Sequence, residues 1–364
     1  MRIVHTEASC GWGGQEIRIL EESRGMQARG HQVLLLCPPE SRIFVEAPKR
    51  GVPVQALPLG KKRLRGAMAL RRWLQANPVD VINTHSSTDT WLAALACKTL
   101  SRSPAIVRTR HISAAVANNA GTRWLYTRAV RHVVTTGEAI RRQLIEDNGF
   151  PGAMITSVPT GIDPARFAAG DKAAVRRRLG LAETGHYLGI VATLRSWKGH
   201  LYLLDAFARL DAPDWQLLIV GEGPMREPIT DKIRELQLQQ RVTMVGQQDC
   251  PEDWMRALDL FCLPSYANEG VPQAVLQAML TALPIVTTPV GAITEAVQDG
   301  ESAVVVPPKD AAALAAGLQR LMADPEARRR LGSNARQRAE SHFSLSSMLD
   351  RMESVFSQAV HAQP

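Results

Sequence analysis

The chain has 364 residues, 45% of them apolar and 21% charged, with a formal net charge of +8. That length exceeds one ordinary core and suits two domains, and the composition excludes a disordered chain. The charge is uneven, because Lys and Arg outnumber acids by 22 to 12 up to Pro164 and trail them by 21 to 23 beyond it. A basic half can face nucleic acid, anionic lipid or an acidic substrate. No aromatic-studded basic motif or helix-turn-helix pattern is present, so lipid or acidic glycan ranks above nucleic acid. Cys10, Cys37, Cys97, Cys250 and Cys262 are scattered and lack paired metal spacing, which fits a reducing compartment. The start, MRIVHTEAS, lacks a cleavable apolar segment, and no run of about eighteen apolar residues is available to span a bilayer. A cytoplasmic protein is expected.

In chain order, Arg2 to His5 reads as a first strand. The loop Glu7 to Gly14 follows, then a helix from about Gln15 to Arg29. Gly13 and Gly14 allow a ligand close to the backbone, and the helix start behind them suits an anion. No G-x-G-x-x-G is present, which disfavours a nicotinamide enzyme. Further strands are expected at Gln32 to Cys37, Val52 to Leu57, Val79 to Asn83, Ala105 to Arg108 and Val133 to Thr135, with helices such as Ala67 to Gln75 and Thr90 to Thr99 between them. This alternation, with nearly continuous apolar strands, predicts a parallel sheet covered on both faces. Ligands then bind beyond the carboxyl ends of the strands, which puts Gly13, Gly14, His85, His111 and Glu138 at one rim. The segment KKRLRGAMALRR gathers Lys61, Lys62, Arg63, Arg65, Arg71 and Arg72 around Leu64, Met68 and Leu70, a pattern suited to an anionic membrane surface.

The turn PTGIDPARF, Pro159 to Phe167, closes the first domain, and the charged stretch Asp171 to Arg178 leads into the second. There a strand from Tyr187 to Thr193 runs into LRSWKGH, whose Arg195 and Lys198 are two cations at a strand end, fit to hold a diphosphate. Strands follow at Gln216 to Val220, ending in Gly221 of the turn GEGP, and at Val242 to Val245. The richest stretch is a strand Leu260 to Leu263, a polar loop, a helix from about Gln273 to Thr281 and a strand Pro284 to Thr288. Such a unit offers free backbone N–H groups to a phosphate at the helix start. Glu269, Gln273 and Gln277 recur at steps of four and are expected along one side, where a carboxylate and two amides suit a hydroxyl-rich ligand. A strand at Val304 to Val306 and helices at Ala311 to Met322, Pro325 to Arg338 and Leu345 to Val360 complete the chain.

These motifs in this order resemble the retaining glycosyltransferases of family 4, with the two-Rossmann GT-B architecture. The donor segment matches at Pro264, Ser265, Glu269, Gly270, Ala278, Met279 and Pro284; Gln277 stands where the family usually carries a second Glu. Gly13, Gly14 and Glu16 match its Gly-Gly-x-Glu loop, and His111 matches a histidine that faces the donor sugar. Lys198 and Gly199 match, Thr193 stands in the place of the usual Arg, and Thr160 in the place of Asn in the Asn-Gly-Ile-Asp turn. Arg195, two residues late, is expected to supply the second cation.

The resemblance implies an α/β chain of two doubly wound Rossmann-like domains facing across a cleft. The expected division is an acceptor-side domain over 1–168, a donor-binding domain over 169–344, and a terminal helix over 345–364 that crosses back to the first domain. It implies transfer of a sugar from a nucleotide-sugar, UDP-sugar before GDP-sugar, to a cell-envelope glycan or glycolipid such as a lipopolysaccharide core. Glu269, His111, Arg195 and Lys198 are the expected catalytic residues. Gly13, Gly14, Gly221, Gly270, Val271, Gln273 and Gln277 are expected on the donor, with Gln277 at the ribose, and Glu16, His85 and Glu138 on the acceptor side. No Asp-x-Asp occurs, so no metal or other cofactor is expected. The basic segment is expected to hold the protein to the inner face of the cytoplasmic membrane. A glycogen-type synthase, a nucleotide-sugar epimerase and a non-catalytic nucleotide-sugar sensor are compatible with the same residues.

Overall fold

The structure, a computed structural model, describes residues 1–361. The chain forms two compact units, one of residues 1–160 together with the terminal segment from Ser346, the other of residues 161–345.

In the first unit seven strands run parallel: β1 Arg2–Thr6, β2 Gln32–Cys37, β3 Val54–Ala56, β4 Val81–Thr84, β5 Ala105–Arg110, β6 His132–Thr135 and β7 Ile155–Ser157. Their order is β3-β2-β1-β4-β5-β6-β7. Every residue of β4, β5 and β6 is buried, as a sheet covered on both faces requires. The order reverses beside β1, where Thr6 lies opposite Leu36 on one side and Thr84 on the other. That reversal opens the crevice in which a doubly wound sheet receives a ligand. The edge strand β7 escapes a reading of the sequence because three residues, ITS, carry no periodicity. The helix Arg42–Lys49 escapes it because Pro48 looks like a breaker, although it sits in the last turn.

The terminal helix Leu345–His361 is part of this unit. It buries Met348, Leu349, Met352, Val355, Phe356 and Ala359. Glu353 anchors it by accepting from Arg29 at 2.9 Å and pairing with His31 at 2.8 Å. Gly25 makes the approach possible, since a Cβ there would lie 2.3 Å from Leu349 Cδ1.

The second unit holds six parallel strands: β8 His186–Val191, β9 Trp215–Val220, β10 Val242–Gly246, β11 Leu260–Leu263, β12 Ile285–Thr287 and β13 Val304–Val305. The order is β10-β9-β8-β11-β12-β13, and the reversal falls between β8 and β11. The charged stretch before β8 is itself a helix, Lys172–Arg178, capped by Asp171, whose carboxylate accepts from the Ala174 N–H at 3.0 Å. Asp259 then ties this helix to the sheet, meeting Arg176 at 2.5 Å, Lys172 at 2.7 Å and the Tyr187 N–H at 2.8 Å. The helix Pro325–His342 starts as its sequence advertises, with Asp324 at the cap and Pro325 at the first position.

Candidate functional site

In the second unit the site begins where β8 and β11 end side by side. From β8 the chain turns through a short 3₁₀ segment, Ser196–Lys198, and from β11 it enters the loop Pro264 to Pro272. Lys198 Nζ donates to Glu269 Oε1 at 2.6 Å, and Ser265 Oγ donates to the same oxygen at 2.6 Å. Glu269 is 4% exposed. A carboxylate that deep needs both a counter-charge and hydrogen bonds, and it has both. Lysine carries three donors and one of them meets Glu269, so its ammonium keeps the capacity to meet a phosphate.

The aim of Glu269 comes from backbone rather than helix pitch. The helix starts only at Gln273, so the expected step of four from Glu269 to Gln273 has no helical geometry behind it. Asn268 takes the left-handed conformation, φ 58°, which asparagine tolerates and most residues do not. Gly291, φ 61°, closes the other side, where a Cβ would lie 2.1 Å from the Glu269 carbonyl oxygen. Gly199 is held in the same way, with φ 80° and a would-be Cβ 2.1 Å from the Pro264 carbonyl oxygen. Gln277 lies in the helix Gln273–Leu280 and is buried, and Val271 is buried before its start. The N-cap is Pro272, whose side chain has no oxygen to cap the first turn. Arg195 is exposed, with its guanidinium 5.7 Å from the centre of the Trp197 ring. Gly221 follows β9 with φ 141°, where a Cβ would meet the Ala192 carbonyl at 2.0 Å.

In the first unit the rim of the sheet carries a row of three imidazoles. His5 Nδ1 meets His85 Nε2 at 3.0 Å, and His85 Nδ1 meets His111 Nε2 at 3.0 Å. They come from β1 and from the loops that follow β4 and β5, brought together by the adjacency of those strands. Burial, then the nearby Arg18 charge, pushes His5 down to about 3, and burial also lowers His85 and His111 well below the ordinary imidazole value. All three are neutral at pH 7. Arg18 is fully buried, with Nη1 donating to the Val158 carbonyl at 2.8 Å and to Thr160 Oγ1 at 3.1 Å, and Nε 3.5 Å from Glu22. Glu22 accepts from Asn83 at 3.2 Å, and Asn83 accepts from Thr109 at 2.9 Å.

The glycine loop of this unit is organised by Glu7. Its Oε1 accepts from the Ala8 and Ser9 N–H groups at 2.7 Å each, and Gln15 donates to Oε2. Burial, then Asp89 and Glu16, pushes Glu7 up to about 8. Glu16 is buried in the first turn of the helix Gly14–Ala28, whose N-cap is Gly13. Gly13 is extended, φ −175°, so its backbone does not demand glycine. Glu138 opens the helix Glu138–Glu146 and pairs with Arg141 at 2.8 Å, the behaviour of a first-turn acid.

The basic segment runs into the helix Leu64–Ala76, with Lys61, Lys62 and Arg63 ahead of its first turn. Lys61, Lys62, Arg63, Arg65 and Arg72 are exposed, as are Leu64 at 74% and Met68 at 44%. Arg71 is turned onto its surroundings, donating to Thr99 and Gln75. Among the described residues no helix is long and apolar enough to cross a membrane, and no group of three or more His, Cys, Asp or Glu is placed to hold a metal ion.

Ser265, Asn268, Gly291, His5, Arg18 and Glu7 escaped the list of candidates. His5 had a signal, a polar residue inside the apolar strand RIVHT. Arg18 and Glu22 had none, since a basic and an acidic residue four apart on a helix normally mark a solvated face.

Two family models match the chain, "Glycosyltransferase Family 4" over residues 12–166 and "Glycosyl transferases group 1" over residues 171–338. The chain belongs to this glycosyltransferase family. Among curated relatives, the D-inositol 3-phosphate glycosyltransferase of Stackebrandtia nassauensis is 32% identical over 220 residues, 57% of this chain and 49% of that protein. The lipopolysaccharide core biosynthesis mannosyltransferase LpsB of Rhizobium meliloti is 29% identical over 231 residues, 59% of this chain and 66% of that protein. These two matches span about half and about two thirds of the relatives' own length. Among solved structures, Anabaena HepE in complex with UDP-glucose superposes with a TM-score of 0.88 at 19% identity, covering 98% of this chain and all of that one. The fold is therefore GT-B, with two Rossmann-like units of seven and six parallel strands.

Proposed function

We propose that the chain transfers a sugar from a nucleotide-sugar, a UDP-sugar first and a GDP-sugar next, to a cell-envelope glycan or glycolipid, with retention at the anomeric carbon and without a metal. The observation that carries this reading is the buried Glu269 carboxylate held by Lys198 and Ser265 at the switch point of the second sheet. In this reading Glu269 accepts from donor-sugar hydroxyls, Gln277 from the ribose, and Gly221, Gly270, Val271 and Gln273 line the donor. Lys198 and Arg195 offset the charge that grows on the departing diphosphate, which is the work a metal would otherwise do. His111 and the Gly13–Gly14 loop serve the sugar and the acceptor side with Glu16 and Glu138, while His85, both of whose ring nitrogens meet other imidazoles, acts through His111. The bond from the anomeric carbon to the diphosphate oxygen breaks, the bond to the acceptor oxygen forms on the same face, and the acceptor proton passes to a diphosphate oxygen.

HepE was solved with UDP-glucose, which supports a uridine donor, and LpsB builds lipopolysaccharide core, which supports an envelope acceptor. The exposed cations with Leu64 and Met68 between them support peripheral attachment to an anionic membrane, where such acceptors are assembled. Thermal shift across UDP, GDP, ADP and CMP tests the base, since a ligand at a hundred times its Kd stabilises by about 2.7 kcal/mol. Turnover of the selected donor with lipid-linked and soluble glycans then tests the acceptor. Equal shifts from all four nucleotides, or turnover on soluble glucan alone, would overturn the reading.

A further inference from the structure

The row of imidazoles is a wire with a direction. A neutral imidazole has one N–H and one bare nitrogen, so three of them in line can be protonated coherently in only two ways. In one, every ring donates toward His5. In the other, every ring donates away from it. The two differ at the ends of the wire, and the inner end decides between them.

At that end His5 Nε2 is fully buried and has no hydrogen-bond partner among the described residues. The Phe356 ring stands steeply to the His5 ring, at 74°, with centroids 6.5 Å apart. The buried guanidinium of Arg18 acts on His5 as a positive charge. If the wire ran inward, Nε2 would carry a hydrogen, leaving an unsatisfied donor in the field of a cation. If it runs outward, Nε2 presents a lone pair, which the cation stabilises. Either arrangement leaves Nε2 unpartnered, at a cost on the order of 1–3 kcal/mol, so the Arg18 charge is what separates the two and favours the bare nitrogen. Arg18 cannot relax the choice by losing its proton or moving off, since Val158, Thr160 and Glu22 hold it.

We propose that His5 and His85 are positioning residues that hold His111 in its Nδ1–H tautomer, so that the rim imidazole is a hydrogen-bond donor to a sugar oxygen. His5 Nδ1–H donates to His85 Nε2, and His85 Nδ1–H donates to His111 Nε2. The only hydrogen left on the His111 ring is then on Nδ1, the nitrogen outside the wire. His111 is neutral and a donor, and it cannot serve as a base through that nitrogen. Its partner is a hydroxyl or ether oxygen of a sugar; the identity of that partner rests on the glycosyltransferase reading, whereas the tautomer does not.

The experiment uses the full chain. Histidine-selective 15N labelling reads, without substrate, which nitrogen of His111 is protonated, with His111→Gln identifying the resonance. The expected state is Nδ1–H, and a His111 protonated at Nε2 overturns the proposal. Two replacements of His5 add the functional reading. In His5→Asn the amide nitrogen stands near the place of Nδ1 and still donates to His85; His5→Leu fills the space and donates nothing. His5→Leu is expected to release the His111 tautomer and lower kcat roughly tenfold with less than a twofold change in the donor KM, and His5→Asn to stay within about twofold of the parent. Equal losses in the two variants would mean that His5 only packs, and would overturn the proposal. A chain that holds the tautomer but transfers no sugar would leave the wire in place and overturn the functional reading alone.

Discussion

Removing the ammonium from the Lys198–Glu269 pair tests whether that pair holds the donor site together. Lys198 Nζ and Glu269 Oε1 are 2.6 Å apart, with side chains 19% and 5% exposed. Lys198→Met leaves a buried carboxylate with the Ser265 hydroxyl as its remaining contact of the two. Breaking a buried pair from one side costs about 3–5 kcal/mol, and the residual exposure of the lysine places this one near the lower bound, about 3 kcal/mol. For a unit of this size each kcal/mol moves Tm by about 2–4 °C, so a loss on the order of 10 °C is expected. Glu269→Gln is gentler to the fold, because an amide oxygen still accepts from Lys198 and Ser265, and about 1 kcal/mol is expected. Its larger effect falls on turnover: with the charge gone, kcat should drop about a hundredfold, near 3 kcal/mol.

The double variant decides the matter. With the carboxylate gone, nothing is left for the lysine to neutralise, so Lys198→Met in the Glu269→Gln background should cost little more than an exposed substitution. Urea unfolding of the parent, both singles and the double should give a coupling of at least about 1.5 kcal/mol. Additive costs, or a Lys198→Met loss below about 1 kcal/mol, would refute the ion-pair argument. A Glu269→Gln enzyme with full kcat would refute the assignment of Glu269 to the transition state.

Gln277→Glu should remain active with a modest change in KM, because either side chain can accept a ribose hydroxyl, whereas Gln277→Ala should raise KM more than it lowers kcat; steady-state kinetics on both variants checks this. Gly291→Ala should both destabilise the chain and lower kcat, since the added Cβ would lie 2.1 Å from the Glu269 carbonyl, and parental kinetics from this variant would show that the contact is not needed. Vesicle sedimentation should show a preference for anionic over neutral lipid that weakens in salt and falls when Lys61, Lys62, Arg63, Arg65 and Arg72 are replaced, each near-surface cation contributing about 1 kcal/mol; equal binding to both vesicle types would assign the patch another partner. His200 is buried, and burial followed by the Lys198 charge lowers it to about 3. Its folded value lies below the unfolded one, so its contribution to stability is complete above pH 6.5 and is lost as pH falls toward 3. His200→Leu should therefore gain about 2 kcal/mol on the parent between pH 7.5 and pH 5, and a pH-independent difference in urea unfolding would contradict the depressed value.

What could be read without coordinates follows a physical division. Continuous apolar strands announce themselves, and Gln32–Cys37 and Leu260–Leu263 were read to the residue because both faces of a parallel sheet are dry. Caps announce themselves too, as Asp324–Pro325 shows. Glu269 was legible as a residue but not as a geometry. Its orientation depends on a left-handed Asn268 and on Gly291, more than twenty residues later, and neither leaves a periodic trace. Charge was legible only as a surface property. Arg18 and Glu22 look like a solvated i,i+4 pair and are instead fully buried, where Val158, Thr160 and Asn83, which bond to them, arrive from distant parts of the chain.

The imidazole row marks where such reading could have gone further. His5, His85 and His111 are 80 and 26 residues apart in sequence, so no local pattern joins them. Strand order does. A doubly wound sheet that begins at β1 brings the next crossover strand beside it, so a residue near the carboxyl end of β1 and those that follow β4 and β5 must share a rim. A histidine inside an apolar strand is costly unless it is neutral and partnered, and with strand order assumed, the rim histidines lie within reach of His5. Topology combined with the cost of burying a polar ring therefore predicts the contact that sequence spacing hides.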